Sequence, residues 1–294
     1  MKRLTTPNTT HTIAAPDARV TQVRIARLEP MRIVVTVKFV PDLQSERSFT
    51  EGAVTRVGDD GTMNELDENA VEAALRIRES LPEGECEVTA VTVGGPDAVA
   101  AVRKALQLGV DHAVHVSDDA ISGSDVFGTA TVLAAAIRRV EADGPVDLVI
   151  TGMAALDGLT SMLPTALAFH LDMAQLTLAS DLELADGQVT ITRHLDDAHE
   201  QVQAPLPAVV SVTDEANKPR FPNFKLIMAA RSKPVTTYSL ADLGIDAASV
   251  GAAAARTQVV WAKPRPPREG RVTITDTGEG GYALADFLIE RGLA

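Results

Sequence analysis

Cysteine is nearly missing from this chain of 294 residues: Cys86 stands alone. That excludes a disulfide framework and any cysteine-based zinc or iron–sulfur site. Aromatic residues make up only 3%, too few for a base-stacking platform. A net charge of −13 leaves no basic face for nonspecific nucleic-acid binding. No apolar run reaches the roughly 18 residues that a membrane helix needs, so membrane insertion is not expected. The catalytic signatures GxSxG, HExxH and GxxxxGK[ST] are all missing. Gly94-Gly95-Pro96-Asp97 lacks the third glycine of a dinucleotide fingerprint. The six histidines are scattered, with no set of three or four converging ligands for a metal. What remains, 45% hydrophobic and 23% charged, is an ordinary globular composition with enough apolar material for a sizeable core.

Residues 1–30 read as a flexible extension. Lys2, Arg3, Arg19, Arg24 and Arg27 face only Asp17 and Glu29, and the stretch is rich in Thr, Ala and Pro with no sustained period. It has no apolar signal core. Pro7, Pro16 and Asp17 interrupt any amphipathic transit helix. Folding is expected to begin at Met31, which is also a second candidate translation start. The expected location is the bacterial cytoplasm, with the mitochondrial matrix as the alternative suggested by the Arg- and Thr-rich leader.

From Met31 onward strands and helices alternate. Met31 to Val37 is a β-branched run that reads as a buried strand. Glu51 to Gly61 reads as a loop or short hairpin. Asn64 is placed to cap a helix carrying Leu66, Ala70, Val71, Ala74, Leu75 and Ile77 on one face. Cys86 to Val93 is a second strand, followed by Pro96 in the first turn of a helix that stops at Gly109. His112 to Val116 and Asp147 to Thr151 read as strands. Ser124 is expected to cap an Ala-rich helix to about Ala142, and a further helix spans Ser161 to Leu171. Val189 to His194 and Pro207 to Thr213 are strand-like, with Asp186-Gly187 as a hairpin turn. Residues 214–234 are polar, proline-bearing and aperiodic. Lys263 to Pro267 is extended, and Tyr282 to Leu293 is a last short helix.

The fold class that follows is α/β, a doubly wound and mostly parallel, Rossmann-like sheet, with an extended C-terminal arm. Residues 31–235 form the α/β nucleotide-binding domain, including a docking loop, and 236–294 form an arm that embraces a partner subunit. Ligands of such sheets sit at the carboxyl ends of the strands.

Two stretches carry chemical information. In TGMAALDGLTSMLPTALAFHLD (151–172) a strand ends, a loop carries Asp157-Gly158, and a helix begins. Amides at such a helix start can hold a phosphate, and Asp157 can orient the loop or bond a ribose hydroxyl. The plainer reading is a tight turn with a capping Asp. In Asn217-Lys218-Pro219-Arg220-Phe221-Pro222-Asn223-Phe224-Lys225 two prolines stiffen a segment bearing two of the seven phenylalanines. Either the rings are presented as an interaction anchor, or they fill the core.

Taken with VTVKFVPD, NELDENAVEAALRIRE and RKALQLGVDHAVHV, and with NKPRFPNFKLIMAARSK, these stretches resemble the beta subunit of an electron transfer flavoprotein. The resemblance runs from about Met31 to the C-terminus. Arg193, Asp196, Asp197, Glu200, Val202, Pro207, Val209 and Val210 stand at the spacing of that family's signature region. It implies a heterodimer with an alpha subunit that carries FAD, no catalytic site in this chain, and electron flow from flavin dehydrogenases such as acyl-CoA dehydrogenases to a quinone oxidoreductase, as in fatty acid β-oxidation. It also implies an AMP, or in some members a second FAD, contacting Thr36, Asn64, Glu65, Leu66, Asp67, Val93, Gly94 and the loop with Asp157, Gly158, Leu159, Thr160, Ser161, Met162 and Thr165. By the same resemblance Phe224 is the anchor for dehydrogenases, flanked by Pro219, Arg220, Ile227 and Met228, while Leu43 and Leu66 approach the flavin of the alpha subunit. The chain departs from the family pattern at Met162, where a glutamine is usual, and at Leu159, where a polar residue is usual. His194 replaces an acidic residue after the signature arginine. A stand-alone adenine-nucleotide-binding protein of the same fold, and a structural subunit without nucleotide, are the alternatives.

Overall fold

A computed structural model describes residues 29–294 apart from 46–47, 51–52, 57–60, 264, 268, 270–271 and 274. The reading of residues 1–30 as an extension therefore lies almost entirely outside the described residues. Seven β-branched, largely apolar runs form one sheet: β1 (Met31–Thr36), β2 (Cys86–Val93), β3 (His112–Val116), β4 (Leu148–Gly152), β5 (Ala174–Ala179), β6 (Ala208–Val212) and β7 (Thr236–Tyr238). All neighbours pair parallel, in the order β7-β3-β2-β1-β4-β6-β5. Parallel strands need crossovers, and helices supply most of them: α1 (Glu65–Ser80), α2 (Val99–Leu108), α3 (Val126–Val140), α4 (Leu163–Leu171) and α5 (Phe224–Ser232). A last helix, α6 (Gly280–Glu290), follows the sheet.

Both faces of the sheet are covered. Ile33 and Val35 of β1 pack with Ala70, Ala74 and Leu75 of α1 and Leu106 of α2. Val34 points the other way, to Leu133 and Ile137 of α3 and Leu167 of α4. Strand alternation thus divides the apolar side chains between two cores, as expected for a doubly wound sheet. A three-stranded antiparallel sheet (Asp181–Ala185, Gln188–His194, His199–Pro205) is separate in its strand pairing and buries Val189 and Ile191 in the α1-side core. Asp186 and Gly187 both have positive φ (52° and 75°), the backbone that a tight hairpin demands.

Several boundaries differ from the sequence reading. The cap of α3 is Asp125, which accepts from Phe127 N and Gly128 N at 3.0 Å, while the Ser124 hydroxyl accepts from Gly251 N. Helix α4 begins at Leu163, because Leu159 and Ser161 adopt positive φ, a backbone no right-handed helix admits. The aperiodic segment 214–234 contains α5, capped by Asn223 accepting from Leu226 N at 2.9 Å. That helix buries only Ala230, so it has no apolar stripe to show periodicity. The sheet also continues past residue 235, where the arm was expected to begin. Strand β7 pairs with β3, and Leu240 and Val250 are buried in the α3-side core. From 255 onward no described residue is buried.

Candidate functional site

The strand order reverses between β1 and β4, so the crevice of the sheet opens at Thr36 and Gly152. Gly152 brings the start of α1 close. A Cβ there would lie 2.5 Å from Asp67 Oδ1 and 2.8 Å from the Leu66 carbonyl oxygen. Any side chain would push α1 off the end of β4.

Asn64 occupies the cap position of α1 but does not cap it. Its fully buried amide crosses to the next loop instead: Nδ2 donates to Ala154 O at 2.9 Å, and Oδ1 accepts from Leu156 N at 3.0 Å. The loop after β4 is thereby fastened to the loop before α1.

Four more residues join this fastening. Asp67 Oδ2 accepts from Lys38 N at 2.8 Å. Lys38 Nζ donates to Asp157 Oδ1 at 2.8 Å, and Arg56 Nε donates to Asp157 Oδ2. Burial pushes the Asp67 carboxyl up to about 7, against the opposing pull of the Asn64 amide, the Lys38 N–H and the Lys38 charge. Burial also lowers Lys38, with Asp157 opposing. For Asp157 burial acts upward, but the Lys38 and Arg56 cations outweigh it and hold the carboxyl below its ordinary range. With Asp67 protonated, the cluster carries one net positive charge.

The loop beyond Asp157 offers donors. Gly158 N and Leu159 N both bond to Ala155 O, but among the described residues the N–H groups of Thr160, Ser161, Met162 and Leu163 have no partner. Ser161 is left-handed (φ 53°) and Met162 right-handed (φ −94°), a pairing that turns successive amides toward one point. Thr36, nine-tenths buried, has a hydroxyl with no hydrogen bond to any described residue. An anion fits this donor set and this charge.

The predicted residues Thr36, Asn64, Asp67 and Asp157 are thus gathered at one end of the sheet. Val93 and Gly94 end the adjacent strand, where buried His115 donates from Nε2 to Gly94 O (3.1 Å) and Gly95 O (3.2 Å). Gly158, Leu159, Thr160, Ser161, Met162 and Thr165 are exposed, and Met162 stands at the start of α4 with a side chain that offers an anion no hydrogen-bond donor. Glu65 is exposed and Leu66 half-buried. The plainer reading of Asp157, a local capping turn, is replaced by a long-range ion pair spanning more than a hundred residues of sequence. Lys38, Arg56 and His115 were missed as site residues. A lysine ending a buried strand was a usable signal; Arg56 gave none. Cys86 is buried and its thiol pushed up to about 11 by that burial, so it is no nucleophile.

On the α1 side, the segment before α5 is held by side chains. Asn69 Nδ2 donates to Asn217 O (3.0 Å) and Asn217 Nδ2 to Asn69 O (2.9 Å). Arg220 reaches Glu72 at 2.7 Å and Glu79 at 2.9 Å. Burial alone would raise the Glu72 carboxyl, but Arg220 and Arg76 outweigh it and hold it low. Arg220 therefore faces inward, as a tether to α1. The rings do not fill the core: Phe221 is 93% exposed and Phe224 79%, with Met228 exposed one turn further on. Pro219 and Ile227 are half-buried beneath them. Replacing Arg220 with Ala is expected to cost about 1.5–3 kcal/mol in urea unfolding, because it strips charged hydrogen bonds from a buried carboxylate. Arg220→Lys is expected to recover little, since lysine lacks the fork that spans two carboxylates.

The architecture is that of a Rossmann-like α/β protein with a crevice where the strand order reverses and an exposed helix α5. The family model of the electron transfer flavoprotein domain matches residues 52–243. The electron transfer flavoprotein subunit beta of Mycobacterium tuberculosis is 41% identical over 261 residues, covering 87% of this chain and 97% of that protein. A caffeyl-CoA reductase-Etf complex subunit, CarD, of Acetobacterium woodii is 34% identical over 84% of this chain and 93% of its own length. The subunit beta of Megasphaera elsdenii is 28% identical over 90% of this chain and 98% of its own. The chain belongs to the electron transfer flavoprotein beta-subunit family. Among the described residues no helix is long and apolar enough to cross a membrane.

Proposed function

We propose that this chain is the beta half of a heterodimeric electron carrier, without a catalytic site of its own. It pairs with an alpha subunit that holds FAD, receives electrons from flavin dehydrogenases of the acyl-CoA type, and passes them to a quinone oxidoreductase. The observation that carries this reading is apolar surface that no described residue covers. Tyr282, Leu284 and Ile289 of α6 and Val259, Val260 and Trp261 before it are more than half exposed, although the central strands β1, β2, β4 and β6 are almost wholly buried. An exposed apolar helix on a long extended segment is a docking element for another chain.

Within the heterodimer the chain's residues bind and position. The flavin supplies the redox chemistry. A structural AMP fits the crevice: the amides of Thr160 to Leu163 would receive its phosphate, with Lys38 and Arg56 nearby as counter-charges and the Thr36 hydroxyl toward its sugar or base. Met162 gives that site one polar contact fewer than the family's usual glutamine. Acid extraction of the purified protein, followed by mass analysis, separates AMP from a second FAD and from no nucleotide.

The reading is tested by producing the chain alone and together with an alpha subunit. Alone it is expected to be colourless; together they are expected to form a yellow one-to-one complex. A lone chain carrying stoichiometric FAD would overturn it. Phe224→Ala is expected to slow reduction of the complex by an acyl-CoA dehydrogenase about thirtyfold, as loss of a central apolar anchor does, with FAD content unchanged. Unaltered turnover would remove Phe224 from the docking role.

A further inference from the structure

The segment that joins the sheet to the arm is sewn to one corner of the body. Gly251 N donates to the Ser124 hydroxyl at 2.8 Å, and Ala252 N to Ser122 O at 3.0 Å. Gly251 has φ +75°, and a Cβ on it would lie 2.3 Å from Ala120 O, so the chain approaches here more closely than any side chain allows. The last stitches belong to Asp125. Its Oδ1 caps α3 through Phe127 N and Gly128 N, both at 3.0 Å. Its Oδ2 accepts from Arg256 N at 2.8 Å, Thr257 N at 3.0 Å and the Thr257 hydroxyl at 3.3 Å. The Arg256 guanidinium lies over the Phe127 ring, 5.8 Å from its centre. From the next residue on the chain lies open: Gln258 to Trp261 are all exposed.

One carboxylate therefore does two separate things with its two oxygens. We propose that Asp125 is the positioning residue of the C-terminal arm: it fixes where and in which direction the arm leaves the body, and so sets how tightly this chain pairs with its partner subunit. The inference rests on the reading that the arm lies on that subunit. The physical reason is pre-organisation. An arm anchored at its root loses less conformational freedom on docking than one free to swing, and that difference appears directly in affinity. Anchorage by side chain to backbone suits this role, because Arg256 and Thr257 are held by their N–H groups whatever the arm does beyond them.

Asp125→Asn separates the two oxygens. Asparagine caps helices as well as aspartate does, so one carbonyl oxygen still serves Phe127 and Gly128. The other position becomes an NH2 group, which cannot accept from the amides of Arg256 and Thr257. The full-length Asp125→Asn chain is expected to melt where the wild type melts. Its Arg256 and Thr257 amides are expected to exchange hydrogen at least tenfold faster. The emission anisotropy of Trp261, the single tryptophan, is expected to fall. Pairing with the flavin-bearing alpha subunit is expected to weaken about tenfold, while a pair of chains truncated after Thr257, with Asp or Asn at 125, should show no such difference. Asp125→Ala, which loses the cap as well, is expected to melt lower. If Asp125→Asn pairs as tightly as the wild type, the inference fails and the heterodimer reading stands. If the wild-type chain binds no flavin-bearing subunit at all, both fail together.

Discussion

Asn64→Ala is expected to destabilise the chain by about 2–5 kcal/mol in urea unfolding, the largest loss of any single polar substitution at the crevice. The side chain is fully buried and serves two backbone groups on another loop, Ala154 O and Leu156 N. Removing it leaves a donor and an acceptor on two half-buried residues unpaired, each costing about 1–3 kcal/mol. Asn64→Asp is expected to be no better at pH 8. It keeps an acceptor for Leu156 N but offers nothing to Ala154 O, and it buries a second carboxylate beside Asp67. Both variants should also lose affinity for AMP by calorimetry, because the loop from Ala154 to Asp157 sets the direction of the free amides that follow. Wild-type stability in Asn64→Ala would show that the loop holds itself.

Asp67 makes stability depend on pH in the opposite sense to most carboxylates. Burial raises it to about 7 in the folded chain, against roughly 3.9 when unfolded. Between those values the folded state binds the extra proton, so stability falls as pH rises from about 4 to about 7, then levels off. Three pH units correspond to roughly 4 kcal/mol. Asp67→Asn cannot ionise and keeps an oxygen for Lys38 N. It is expected to match the wild type near pH 4.5 and to exceed it above pH 7, measured by urea unfolding at both ends. Parallel pH profiles for the two proteins would refute the assignment. The same proton sets the charge of the crevice. Below about pH 7 Lys38 and Arg56 face one ionised carboxylate, and above it two, so AMP affinity is expected to weaken through this range in the wild type more than in Asp67→Asn.

Much of the fold was legible because the apolar runs are strong. MRIVVT, CEVTAVTV and AVVSV are continuous, as strands buried on both faces must be, and the helices between them carry one-sided apolar stripes. Helix α5 escaped because it fully buries only Ala230, and β7 because three residues at a sheet edge leave no period to read. The site was legible in part. Asp157 and Asn64 stood out by their places at a strand end and a helix start, but Asn64 was expected to cap α1, and Asp157 to orient its loop, bond a ribose hydroxyl or close a local turn. Each acts across about ninety residues or more, and no local pattern encodes such a partner.

Composition and periodicity alone determined the class of this protein: a parallel α/β chain without metal-binding cysteines, without a phosphate loop and without a catalytic signature. Those features follow from residue type and from the 2.0 and 3.6 repeats of strand and helix, which are properties of neighbouring residues. Tertiary structure decided the rest. It turned Arg220 from an expected flank of the docking anchor into a tether to α1, set Phe221 and Phe224 outside the core, gave Asp67 its raised proton affinity and made one oxygen of Asp125 the root of the arm. Each of these depends on which distant groups the fold brings within about 3 Å, and on how much water it removes from them.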